Sequence, residues 1–215
     1  QKTHWLGEIA AGAPASLALT EEDGNWRLQE ITATATENGD ALTLAGSKCF
    51  VLDAAQAKVV VASVMLDGVA RLVLIQADQI PSGALAREVV IDETRRSYTL
   101  QLDGISVPQS QLLDGADFVA LEQAAMLLLV AEMSGGLAGV LHVIIDYLTT
   151  RKQFDQYIGS YQSLKHPTVQ ILLSMEACRS HLYHAATLMA AGDAEAAEEA
   201  VRMAKAQGLS LIHIS

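Results

Sequence analysis

A chain of 215 residues is long enough for one large domain or two small ones, each with its own core. It is 51% hydrophobic and 18% charged with a net charge of −11, a globular balance that leaves no basic stripe to neutralise nucleic-acid or anionic-membrane phosphates. Cys49 and Cys178 lie far apart without ligand-like spacing, so a reduced, cytoplasmic protein is expected.

Gln1-Lys2-Thr3-His4-Trp5 offers neither a start Met nor a signal-peptide core, and the chain is expected to be part of a longer protein. From Ile31 to about Val107 the residues read as strands. Ile31 to Thr36 alternates with period two, and Asn38-Gly39 supplies the positive φ angles of a tight hairpin turn before a return strand over Ala41 to Leu44. Lys48 to Leu52, Lys58 to Met65, Arg71 to Ala77, Ala86 to Asp92 and Ser97 to Leu102 follow, rich in Val, Leu and Ile. Short strands at this spacing with no helix between them predict an antiparallel barrel or sandwich. Pro, Ser, Asp and Gly cluster between Pro108 and Asp117, where the period changes to helical.

Beyond this boundary the pattern predicts a helix over about Phe118 to Thr150. Its length and apolarity invite a membrane-spanning reading, but Glu122, Glu132, His142 and Asp146 interrupt it. A charge at bilayer depth costs roughly 2.5–3.5 kcal/mol, so a buried helix of a soluble domain is expected instead, with no membrane span. Ser134, Gly135, Ala138, Gly139 and His142 form a small-residue stripe that predicts close approach of another helix. A second helix covers about Leu164 to Ala190, with Ile171, Met175, Cys178, Leu182, Ala185 and Met189 on one face, Ser163 as its N-cap and Pro167 in or near its first turn. Gly192 ends it, and Asp193 caps a third helix to about Gln207. The fold class is therefore α+β: a barrel or sandwich over residues 1–112, then a helical bundle over 113–215.

The richest stretch chemically is Arg151-Lys152-Gln153-Phe154, followed by Ile158-Gly159-Ser160-Tyr161-Gln162 and Lys165-His166. An Arg, an aromatic, a Gly and a Gln at a helix end suit a flat, anionic cofactor, since a guanidinium pairs with pyrophosphate through a planar fork. The same cations also suit a solvated helix C-terminus. His181 and His184 could share a metal at helical spacing, but no third ligand stands near them in sequence, and a polar helix edge is the expectation, with no metal. Asp92-Glu93 with Arg95-Arg96 reads as a charged turn. No G-x-S-x-G, G-x-G-x-x-G or P-loop pattern occurs, which removes support for hydrolase, Rossmann and NTPase functions.

The strip closely resembles the R-K-Q-F-G-x-x-I-G-S-F-Q-x-x-K-H run of the acyl-CoA dehydrogenases, where it touches the FAD of a neighbouring subunit. Trp5 to Gly12 resembles the segment leading into that family's middle domain. Leu17-Ala18-Leu19-Thr20-Glu21 is similar to its A-L-T-E-P-G-x-G-S-D flavin loop, Leu44 to Val51 to L-N-G-x-K-x-[WF]-I-T-N, and Leu102 to Pro108 to F-x-x-V-x-V-P. The chain departs from the family at Glu22, Asp23, Gly24, Asn25, Trp26 and Arg27, which replace Pro, Gly, a small residue, Gly, Ser and Asp. It departs again at Leu52, which stands where the family has a flavin-facing Thr.

The resemblance implies an incomplete acyl-CoA dehydrogenase: most of the middle β-domain and the start of the C-terminal helical domain. The implied activity is FAD-dependent α,β-dehydrogenation of an acyl-CoA thioester, in fatty acid or steroid side-chain oxidation. It implies a homo- or hetero-oligomer, dimer or tetramer, with FAD at the subunit interface, and an electron-transfer acceptor. Arg151, Phe154 and Gln162 are the implied contacts to a neighbour's FAD, and Thr20, Phe50 and Val51 those to the chain's own. No catalytic base is assigned. One subgroup carries its Glu at the position of Ala125, a turn from Glu122, and the more usual position falls beyond Ser215. The piece alone is expected to be inactive, and residues 208–215 depart from the family pattern and are expected to be a non-native tail. Two alternatives stay open: a non-catalytic subunit lending its arginine strip to a partner's FAD, and a cofactor-free module.

Overall fold

The structure, a computed structural model, describes residues 2–22, 25, 27–115 and 117–212, with the side chains of Lys2 and Ile212 excepted. The chain is α+β and divides into two compact units, residues 1–118 and 119–215.

In the first unit, helix α1 (Lys2–Ala10) precedes β1 (Ala15–Ala18), β2 (Thr34–Asn38), β3 (Ala41–Ala45), β4 (Ser47–Leu52), β5 (Val59–Leu66), β6 (Val69–Gln76), β7 (Leu85–Arg87), β8 (Ser97–Gln101), β9 (Ser106–Pro108) and β10 (Leu112–Leu113). One sheet runs β10-β6-β5-β2-β3-β9, and the other runs β4-β8-β7. The sheets stay open, so no barrel closes among the described residues. Nor is every pairing antiparallel, because the free edge of β5 is shared by two parallel partners. β1 pairs along Val59–Ala62 and β2 joins at Met65.

Both sheets feed one core. Leu42, Leu44, Val60, Ala62, Val64, Val73 and Ile75 from the first meet Val51 and Leu100 from the second. Each fully buried Val, Leu or Ile side chain here contributes about 1.5–3 kcal/mol. The hairpin between β2 and β3 forms one residue later than Asn38-Gly39 suggests. Asn38 pairs with Ala41 as the last strand residue, and Gly39 alone takes a left-handed φ of 62°. The strand expected over Ala86 to Asp92 shrinks to Leu85–Arg87, and Val89 and Ile91 are fully exposed.

The second unit holds α2 (Phe118–Thr150), a short hairpin of β11 (Lys152–Gln153) and β12 (Gln156–Tyr157), α3 (Gln162–Ala191) and α4 (Ala194–Ile212). Val130, Leu137 and Leu141 of α2 pack with Met175 and Cys178 of α3 and Ala204 and Leu211 of α4. A smaller cluster joins Met126 to Ala185, Ala200 and Val201. α3 starts two residues before Leu164. Its N-cap is therefore Tyr161, without a side-chain cap bond, Ser163 lies inside the helix, and Pro167 falls in the second turn. Gly192 closes it in the left-handed conformation at φ 77°, donating its N–H to the carbonyls of Leu188 and Met189.

Two expectations for these helices change. α2 is not buried: by length and composition it is apolar enough to cross a membrane, and only 22% of its most apolar window is covered within the chain. The reason is that α3 and α4 pack on one side of it, leaving Leu128, Leu129, Val140 and Val143 exposed. Most of the small-residue stripe meets no helix: Ser134 is buried, but Gly135, Ala138 and Gly139 are exposed, and a Cβ on Gly135 or Gly139 would find open space. Close helix approach occurs instead at Gly208, whose Cβ would lie 3.2 Å from Met133 Cε and 3.6 Å from Cys178 Sγ. Gly208 and Leu211 continue α4 and pack in its core, and residues 213–215 lie outside the described residues.

Candidate functional site

In the first unit, the segment after β1 is tied to β4 by two bonds at one residue pair. Cys49 N donates to Thr20 O at 2.9 Å, and Thr20 Oγ1 donates to Cys49 O at 2.7 Å. Beneath this pair lies a buried ion pair that sequence reasoning missed. Lys48 Nζ, wholly buried, donates to Glu21 Oε1 at 2.7 Å and to Ser63 Oγ at 2.9 Å. Glu21 also accepts from the Thr32 hydroxyl, from Thr32 N at 2.9 Å and from Ala33 N at 3.0 Å. Burial alone would raise the Glu21 carboxyl, but these donors, Lys48 foremost, outweigh it and hold the pKa down at about 2. Burial also pushes the Lys48 ammonium below its ordinary value.

Directly after Cys49 the β4 ladder slips. Lys48 pairs with Leu100 and Val51 with Tyr98, so Cys49 and Phe50 together oppose Thr99 in a β-bulge. Phe50 takes a left-handed φ of 54°, a strain of about 1–3 kcal/mol for a bulky side chain. The slip turns its ring outward, 49% exposed, into a groove of about 350 Å³ lined by Leu17, Leu19, Thr20, Leu52 and Asp53 among others. Thr20 and Phe50 therefore share one site. Val51 points into the core with no exposed surface, so only its backbone is available to a ligand there. Next to the bulge, a second, polar groove is lined by Glu21, Glu22, Thr32 and Ser47. Asp23, Gly24 and Trp26, flagged as departures from the flavin-loop pattern, lie outside the described residues.

In the second unit, Arg151, Phe154 and Gln162 are all exposed around the β11–β12 hairpin. Its two-residue loop is Phe154-Asp155, with both φ angles positive (52° and 60°), the form that matches strand twist. The loop presents the Phe154 ring to solvent at 87% exposure. The hairpin is braced on three sides. Ile158 N donates to Arg151 O at 2.9 Å, Tyr161 Oη donates to Gln153 O at 3.0 Å, and Lys152 Nζ sits 4.7 Å from the Tyr157 ring centre. Gly159 permits this closure, since a Cβ there would meet Leu148 O at 2.7 Å. Among the described residues the Arg151 guanidinium has no ion pair, so its fork is open to a ligand. Glu122 is engaged on the same unit, 3.9 Å from Arg202 Nη2. His181 and His184 stay on α3, and no group of three potential metal ligands forms among the described residues.

Known proteins share both the sequence pattern and the fold. Residues 121–212 match the acyl-CoA dehydrogenase C-terminal domain. The chain is 31% identical over 218 residues to acyl-CoA dehydrogenase FadE12 of Mycobacterium tuberculosis, an alignment covering 95% of this chain and 56% of that protein. By these matches the chain is similar to the acyl-CoA dehydrogenases, and it spans little more than half the length of that relative. Its fold resembles an electron transferring flavoprotein of Acidaminococcus fermentans, with TM-score 0.85 and 25% identity over 98% of this chain and 58% of that one. It also resembles glutaryl-CoA dehydrogenase from Mycobacterium smegmatis, with TM-score 0.82 and 21% identity over 99% and 57%.

Proposed function

We propose that this chain is part of an oxidoreductase that removes hydrogen from the α and β carbons of an acyl-CoA thioester, with FAD as cofactor. The observation that carries the proposal is the groove at Thr20, Phe50 and Leu52. Its exposed Leu17, Phe50 and Leu52 side chains offer an apolar wall with an out-turned aromatic, which suits one face of a flat ring. When bound, FAD would supply the acceptor for the hydride leaving the β carbon.

The chain's own residues do the holding. Leu17, Leu19 and Leu52 exclude water from one side of the groove. Thr20 spends its proton on Cys49 O and so meets a ligand only as an acceptor. The exposed Arg151 fork, with Phe154 and Gln162 around it, suits a pyrophosphate, which family resemblance assigns to the FAD of a neighbouring subunit. An acyl-CoA substrate, an electron-transfer acceptor, an oligomer and a cytoplasmic location belong to the same proposal. The family match and the likeness to a flavoprotein chain support the first two.

A second function, a non-catalytic subunit serving a partner's FAD, is favoured by the exposed Glu22 at the neighbouring groove and by Leu52, which offers no hydrogen bond. The FAD content of the full-length protein, followed by anaerobic bleaching of its visible band with acyl-CoA, tests both. One FAD per chain with bleaching supports the enzyme. Flavin that appears only with a partner chain supports the subunit, and no flavin under either condition refutes both.

A further inference from the structure

We propose that Glu88 is a positioning residue that fixes the Phe50 ring over the groove; its consequence for flavin binding rests on the function proposed above. The β-bulge removes the Phe50 N–H from the β4–β8 ladder, and a backbone donor left without a partner is costly. Glu88, just past the end of β7, takes that role. Phe50 N donates to both of its carboxylate oxygens at 3.2 Å. The carboxylate is itself held in place from β8: Ser97 Oγ donates to Oε2 at 2.6 Å and Thr99 Oγ1 to Oε1 at 2.8 Å. Glu88 N adds a backbone bond to Ser97 O at 2.9 Å.

The four residues form one device. Thr99 is the residue that the bulge faces, so the strand defining the slip also orients the acceptor that stabilises it. Without the carboxylate, the Phe50 N–H loses both of these bonds while the residue keeps an unfavourable left-handed φ, and β4 gains by returning to regular alternation. That return would swing the aromatic ring away from Leu17, Thr20 and Leu52. Glu88 touches no part of the groove itself and acts only through Phe50.

The test uses the full-length protein and two independent readouts. Amide hydrogen exchange at Phe50 reports the clamp whether or not flavin is bound, and FAD titration reports its consequence. Glu88→Ala is expected to speed Phe50 exchange at least about tenfold, while Glu88→Gln, which keeps one acceptor oxygen, restores most of the protection. Glu88→Ala is also expected to weaken FAD about tenfold in the native background and not at all alongside Phe50→Gly, because glycine adopts a positive φ unaided and carries no ring. Unchanged Phe50 exchange in Glu88→Ala overturns the clamp. Equal loss of FAD affinity in both backgrounds overturns the route through Phe50. Absence of FAD binding by the native protein removes the flavin function, and the exchange result then still decides the clamp.

Discussion

The two regions that concern a flavin are built by opposite means. The groove of the first unit rests on buried structure, with the Glu21–Lys48 pair beneath Thr20 and Cys49 and a strained bulge presenting Phe50. The arginine hairpin of the second unit is exposed at nearly every residue, and it owes its shape to a two-residue turn and to Gly159. Substitutions at the groove's foundation should therefore cost folding before they cost binding. At the hairpin, binding should go first.

The largest effect expected is from Glu21→Gln. It leaves a buried ammonium facing a neutral amide, and loss of about 3–5 kcal/mol should appear in urea unfolding of the first unit. Adding Lys48→Met should recover most of it, and a Glu21→Gln protein of native stability would break the contrast between the regions. Acid tests the same pair. The folded Glu21 carboxyl lies below its ordinary 4.5, at about 2. Its stabilisation is therefore complete above pH 4.5 and lost as pH falls toward 2. The first unit should lose about 3 kcal/mol across that window, and Glu21→Gln should flatten the dependence.

At the hairpin, Arg151→Ala should weaken FAD by about 1.5–3 kcal/mol, the worth of a charge-assisted bond, with unfolding unchanged. Retained flavin affinity in that variant would remove the strip from the site. Gly159→Ala should cost about 1–3 kcal/mol through the clash with Leu148 O, read as faster proteolysis between α2 and α3. Gly208→Ala should matter least. Its one tight contact, at 3.2 Å, is with the flexible end of Met133, Cys178 Sγ stands at an ordinary 3.6 Å, and a melting shift of a degree or two is expected.

Much of the helical unit is legible from local pattern, because a helix is specified by residues three and four apart. The bounds of α2 are those that the apolar run suggests, and Gly192 marks the end of α3 by its left-handed φ. Burial is another matter, since it depends on what packs alongside. α2 has the composition of a core helix yet leaves much of its apolar surface open. In the β unit, strand positions follow alternation but pairing does not. β1 carries only Ala-Ser-Leu-Ala, and its parallel partner lies more than forty residues away, from Val59. The Glu21–Lys48 pair spans 27 residues and gives no local signal. Phe50 and Thr20 could be named by resemblance, but the slip that turns Phe50 outward requires β8 to be in place. Val51 shows the same limit from the other side, lying one residue from Phe50 and buried.

The central claim is that the groove of the first unit receives the flavin ring. Leu52 is exposed there and carries none of the core, so Leu52→Glu places a carboxylate in the groove with little cost to folding. The FAD content of the full-length protein, native against Leu52→Glu, measures the claim. We expect the native protein to hold FAD and the variant to lose it with unfolding unchanged. A variant that keeps the same FAD content and the same visible spectrum would contradict the claim.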